Sequence, residues 1–139
     1  MAKEAGLAWT ALDVDDAGST AQDLREDVSD FSFSTPINVA EVTGIDKSAV
    51  ERLLLLRDFS ITLNGTFDDD TADSVHDVFA DIMAAAATSR TTSITVSAQI
   101  MTGVEVLYTD YALTRGSDGQ LTFTVPGVLA NGTIPAWTT

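Results

Sequence analysis

The sequence predicts a mainly β (α+β) domain, an antiparallel β-sandwich or partial barrel with one flanking α-helix. Three observations lead there. Apolar and polar residues alternate with a period of two in several short runs, which marks half-buried strands. One stretch repeats its apolar positions with a period near 3.6, which marks a single amphipathic helix. Clusters of Gly, Asn, Asp and Pro separate these runs at short intervals, as turns in an antiparallel fold do. The 139 residues fit one domain, residues 1–139, with about 1–8 as an N-terminal arm.

Taken in order, residues 7–14 read as a first strand, closed by the turn-rich Asp15-Asp16-Ala17-Gly18-Ser19. Val28 to Ser34 alternates cleanly, with Phe31 and Phe33 on one face and Asp30, Ser32 and Ser34 on the other. Pro36 ends or edges that strand. Residues 36–50 are polar and mixed, with Gly44 and Asp46 as breakers, and read as a long excursion; a loop of that length in a compact domain usually has a task. Four consecutive leucines, Leu53 to Leu56, fit helix or strand by periodicity alone. A strand is expected over residues 57–63, followed by a turn at Asn64-Gly65.

The helix is expected over residues 72–87, with Val75, Val78, Phe79, Ile82, Met83 and Ala86 along its apolar stripe. Asp70 or Thr71 can cap its start, and Asp73 lies where the helix dipole favours an anion. Asp73, Asp77 and Asp81 fall four apart and form an acidic stripe. Such a stripe suits either a solvated face or an arginine from a neighbouring subunit. The last third is strand after strand. Residues 94–100 alternate, residues 106–113 alternate, Arg115-Gly116-Ser117-Asp118-Gly119 makes a hairpin turn, and Leu121, Phe123 and Val125 return beyond it. Pro126 and Pro135 are expected at edges.

Charge is the sharpest compositional signal. Seven basic residues stand against 21 acidic ones, a net −14. Such a surface repels nucleic acid, whose duplex carries one negative charge per ~1.7 Å, so binding through a basic patch is excluded. Whether the charge serves solubility or a saline habitat stays open at this stage. No apolar run approaches the ~20 residues of a membrane-spanning helix, and no secretory signal is visible at the start, so a cytosolic origin is expected. Without that route, Asn64-Gly65-Thr66 and Asn131-Gly132-Thr133 read as turns and not as glycosylation sites.

Catalytic constellations fail one by one. With no cysteine, thiol nucleophiles and thiolate metal sites are absent. His76 is the sole histidine, and its place between the apolar and acidic helix stripes suits a boundary residue better than a triad base. No phosphate-cradling glycine loop appears. Asp13-Val14-Asp15-Asp16-Ala17-Gly18 begins like a calcium loop, but Ala17 and Leu24 stand where ligands are required. Asp68-Asp69-Asp70 with Asp73 lacks that spacing altogether. No enzyme, cofactor or metal is expected.

Three stretches read together carry a resemblance. They are Glu41-Val42-Thr43-Gly44-Ile45-Asp46-Lys47-Ser48-Ala49 running into Glu51-Arg52-Leu53-Leu54-Leu55-Leu56, then Asp58 to Phe67, and then Thr109-Asp110-Tyr111 with Leu113-Thr114-Arg115. The closing Asn131-Gly132-Thr133-Ile134-Pro135-Ala136-Trp137 belongs to the same pattern. The sequence resembles the tail tube (major tail) proteins of siphophages, particularly those of actinobacterial phages and prophages. These are similar in fold to the tube proteins of contractile tails and type VI secretion.

The resemblance implies a virion tail protein assembled in the host cytoplasm. Six copies would form a ring, rings would stack through long loops, and DNA would pass through the lumen without specific binding. It implies tape measure and tail terminator proteins as partners, and no membrane. Within that picture, Asn38, Glu41, Gly44, Asp46 and Lys47 in the 36–50 excursion are expected to stack rings. Asp30, Glu41, Glu105 and Asp110 are candidates for the lumen, or equally for the outer surface. Arg52, Arg57, Arg90 and Arg115 are candidate contacts to neighbours, and the helix stripe is expected on the outer side of the sheet. A tail terminator, head-tail connector or capsid decoration protein is the nearest alternative. A carbohydrate- or protein-binding β-sandwich would need a concave aromatic patch, and Trp9 and Trp137, near opposite termini, are not expected to converge.

Overall fold

A computed structural model describes residues 6–69, 74–82, 89–133 and 135–138. A 3-10 turn, Gly6–Ala8, leads into β1 (Trp9–Asp15), followed by β2 (Ala21–Asp23), β3 (Val28–Ser34), β4 (Ile37–Glu41), β5 (Arg52–Arg57) and β6 (Ser60–Thr66). A short helix, α1 (Val75–Phe79), precedes β7 (Arg90–Val96), β8 (Gln99–Tyr108), β9 (Ala112–Arg115) and β10 (Leu121–Leu129). The mainly β, antiparallel class expected from the sequence is the class observed.

Eight of the ten strands described form one antiparallel sheet in the order β2-β1-β7-β8-β10-β6-β3, with β9 added to β10. The sheet curls until its far sides meet: the Trp9 ring of β1 stacks on Phe31 of β3 with centroids 3.5 Å apart. Inside the curl lies a core that includes Leu12, Val14, Ile61, Leu63, Ile94, Val106, Phe123 and Val125, all essentially without solvent contact. Each fully buried side chain of this kind contributes roughly 1.5–3 kcal/mol. Helix α1 plugs one end of the curl with Val75, Val78 and Phe79. Phe79 meets Tyr108 edge-on at 5.0 Å.

Several local expectations need correction. Residues 36–50 are not one long loop: Ile37–Glu41 is a strand paired with β5, so β4 and β5 form a separate two-stranded hairpin. The leucine run is strand, and Asp58-Phe59 divides it from β6. Asn64-Gly65 is not a turn but lies inside β6, between β3 and β10. Glycine is needed there for close approach, because a Cβ at Gly65 would lie 2.0 Å from the carbonyl oxygen of Asp27. The 94–100 run is broken by a turn at Ser97, which adopts φ 55°, and its N–H donates to the Ala8 carbonyl at 2.7 Å. Likewise β8 stops at Tyr108 and β9 starts at Ala112.

Pro126 lies within β10 and not at its end. Its carbonyl accepts from Thr109 N–H at 3.1 Å, so its nitrogen faces the gap where β8 has ended and β9 has not begun. A missing donor costs nothing there. The helix is capped by Ser74, whose Oγ accepts from Asp77 N–H at 3.0 Å. Turns follow Phe79, so α1 stops short of Ile82; the expected stretches 72–73 and 83–87, Asp70, Thr71 and Asp73 lie outside the described residues. Asn131-Gly132-Thr133 is a turn as expected, with Gly132 at φ 72° and Thr133 N–H donating to Asn131 Oδ1 at 3.0 Å.

Candidate assembly interface

The β4–β5 hairpin projects from the end of the sheet where β3 stops and β6 starts. Its root is closed by Asp58 N–H donating to the Pro36 carbonyl at 3.0 Å. All six residues of β5 are exposed. Leu54 is 61% exposed, Leu56 81% and Ile45, at the tip, fully so, with Val39, Val42, Val50, Leu53 and Leu55 also open. Contiguous exposed apolar surface of this kind marks an interaction site. A lone two-stranded hairpin is at best marginally stable in water, so this one gains most from being covered.

Of the residues expected in a stacking loop, Asn38 and Glu41 are on β4, and Gly44, Asp46 and Lys47 are in the connection to β5. The tip is ordered by its own polar groups. Thr43 Oγ1 accepts from Glu51 N–H at 2.8 Å, and Lys47 pairs with Glu51 at 3.4 Å. Arg52 faces Glu41 across the ladder, and Arg57 faces Ile37. Among the described residues neither arginine makes a salt bridge. The apolar contribution of the hairpin is what the sequence reading missed. Its signal is the unbroken run Leu53 to Leu56, which follows the polar stretch 36–50.

The four candidate acids do not gather in one patch. Asp30 on β3 lies on the sheet face turned from the core, accepting from Asn64 Nδ2 at 2.7 Å. Glu105 on β8 is on the same outward face, three strands further on, and accepts from Ser89 Oγ at 2.9 Å and Thr91 Oγ1 at 2.5 Å. Glu41 belongs to the hairpin. Asp110 lies in the connection from β8 to β9, where its carboxylate accepts from Tyr111 N–H at 2.8 Å.

Arg90 is a correction to the list of outward-reaching cations. It is 6% exposed and held within its own chain. Its guanidinium donates to the carbonyls of Asp15 at 3.0 Å and Val78 at 2.6 Å, and to Asp81 at 2.8 Å. Asp81, the last acid of the expected stripe, therefore meets an arginine of its own chain. Arg52, Arg57 and Arg115 remain exposed.

Other sequence candidates serve local structure. Asp16 of the calcium-like stretch turns the chain, accepting from Gly18 and Thr20 N–H at 2.9 and 3.0 Å. These bonds, led by the one from Thr20, hold its pKa below the usual carboxylate range. His76 stacks edge-on to Phe67 at 5.3 Å, with Nδ1 3.3 Å from the Tyr111 hydroxyl. The tryptophans do converge, against expectation: Trp9 stacks on Phe31, Phe31 on Phe33, and Phe33 meets Trp137 at 5.9 Å. Trp137 is held there by Thr138, which exchanges backbone bonds of 2.7 and 2.8 Å with Ile100. Beside them an open groove of about 710 Å³ is lined by Phe33, Val96, Ser97, Ala98, Gln99 and Trp137. The Trp9 indole N–H is taken by the Ala11 carbonyl at 2.7 Å, so the patch offers apolar surface and few orienting polar groups.

No protein-family model matches the sequence, and no curated protein matches it either. Solved structures do. A chain from the tail of an empty gene transfer agent particle, determined by helical refinement with C6 symmetry, superposes with a TM-score of 0.78. The match spans 99% of this chain and 100% of that one at 16% identity. The fold is shared end to end. A chain from the virion of a native gene transfer agent particle gives 0.75 at 15% identity, over 99% and 100% of the two chains.

Proposed function

We propose that this chain is a structural tail subunit of a phage-like particle, without catalytic activity. Copies of it join as hexameric rings stacked into a tube through which DNA passes. The β4–β5 hairpin carries this reading, because it exposes an apolar surface that the subunit itself leaves uncovered. The end-to-end likeness to a chain from a sixfold-symmetric tail supports it. In this reading the protein resides in the virion tail after assembly in the host cytoplasm, with tape measure and tail terminator proteins as further partners.

The electrostatics suit a conduit. A basic lining would neutralise phosphates and hold the genome in place. A subunit with net charge −14 repels DNA weakly at every level and traps it at none. Asp30 and Glu105, on the sheet face turned from the core, are the acids best placed for a lumen; Asp110 is in the connection from β8 to β9 and Glu41 on the stacking hairpin.

Replacing residues 37–57 by a short glycine turn tests the role of the hairpin, since Pro36 and Asp58 already touch. The expected product is a folded monomer, by circular dichroism and sedimentation, that joins no polymer. Normal polymers from that variant would overturn the assignment. A single closed ring from the intact chain, with no stacking, would instead favour a tail terminator or connector.

A further inference from the structure

The leucine hairpin has two faces, and both are apolar. Val39 lies opposite Leu54 and Ala40 opposite Leu53, and residues directly opposite in an antiparallel pair share a face while successive residues alternate. Leu54 with Val39 therefore lines one side, and Leu53 with Ala40 the other. Leu53 is 54% exposed and Leu54 61%, so the subunit covers neither side.

An unbroken apolar run in a strand is the pattern of a strand covered on both faces; a strand with one wet face alternates. The strands of this chain that do have one wet face obey that rule, as Phe31 and Phe33 against Asp30, Ser32 and Ser34 show. β5 departs from it with four leucines in a row. Its sequence is that of a central layer, yet its surroundings in the single subunit are solvent.

Charge points to what covers it. Residues 37–57 hold three acids, Glu41, Asp46 and Glu51, against three bases, Lys47, Arg52 and Arg57, and are neutral. The whole net charge of −14 thus belongs to the rest of the chain. A neutral apolar arm carrying two arginines that make no salt bridge among the described residues is complementary to that acidic body and avoids the repulsion between two bodies.

We infer that each hairpin is sandwiched between two other copies of this chain, one on the Leu54 face and one on the Leu53 face. The inference rests on the proposed tail-subunit reading and goes beyond it. A stacking loop needs one partner, whereas a two-faced arm ties three subunits together. Removal of either apolar face then breaks a different contact.

The absence of native cysteine makes the test direct. The double variant L53C/L54C carries a photoactivatable benzophenone on each thiol and is mixed at low fraction into unlabelled wild-type protein before assembly. After illumination, denaturing electrophoresis should show three-chain adducts from the double variant and two-chain adducts from each single variant. Polymers visible in the micrograph with adducts never exceeding two chains would overturn the sandwich while leaving the tail-subunit reading intact. Absence of polymers altogether would overturn both.

Discussion

The Asp27 carboxylate accepts the backbone N–H of Val75 at 3.0 Å, so the turn before β3 holds the first residue of α1. Asp27 is 7% exposed, and its backbone carbonyl also accepts from Thr66 N–H at 3.1 Å. Burial is the first cause that pushes its pKa up, to about 6, and the neighbouring Asp68 and Glu26 add to it. A raised carboxyl pKa means the folded state binds its proton more tightly than the unfolded chain. The associated stability is complete below the unfolded value near 3.8 and is lost as pH rises through about 6.

Asp27→Asn should remove that dependence. Its Oδ1 can still accept from Val75, and its amide can donate to Asp68. At pH 7.5 the variant is expected to be the more stable protein, by on the order of 2 kcal/mol or roughly 5 °C in melting temperature. At pH 4 the two proteins should melt together. Thermal melts of both across this range check the prediction, and a wild type more stable than the variant at pH 7.5 contradicts it.

Arg90→Met should destabilise the fold. It deprives the carbonyls of Asp15 and Val78 of their donor and leaves Asp81 without its ion pair. The expected loss is about 3 kcal/mol, measured by urea denaturation. An unchanged midpoint would show that water replaces the guanidinium.

Gly65→Ala should also cost about 3 kcal/mol, because the added Cβ meets the backbone oxygen of Asp27 and the Phe123 ring. The β3–β6 ladder must shift to admit it. A far smaller change in the same urea experiment would mean that the strand moves freely at this point.

How far the sequence could be read follows from which faces reach the core. β3 was legible residue by residue because one face is apolar and the other polar. The hairpin was not, because neither of its faces enters the core, so no alternation records it. Asn64-Gly65 has the composition of a turn, but the glycine answers to a carbonyl from a distant part of the chain. The Ser97 turn has no glycine to announce its positive φ. Arg90 bonds to Asp15 across 75 positions of sequence, a relation no local pattern contains. The acidic body and the leucine run were both visible as letters; their separation into a charged core domain and a neutral arm required the fold.

Salt should promote assembly. Bodies carrying net −14 repel one another, and the screening length falls from about 30 Å at 0.01 M salt to about 10 Å at 0.1 M. Light scattering is expected to show the polymerisation threshold moving to lower protein concentration as sodium chloride rises over this range. A threshold that rises with salt would mean that arginine–carboxylate attraction outweighs the repulsion.

Electron microscopy of the purified chain at high concentration measures the central claim most directly. Long hollow polymers with sixfold symmetry in end view are the result expected of a tail subunit whose leucine arm seeks its own kind. Particles of single-subunit size, with the arm still open to solvent, would contradict it.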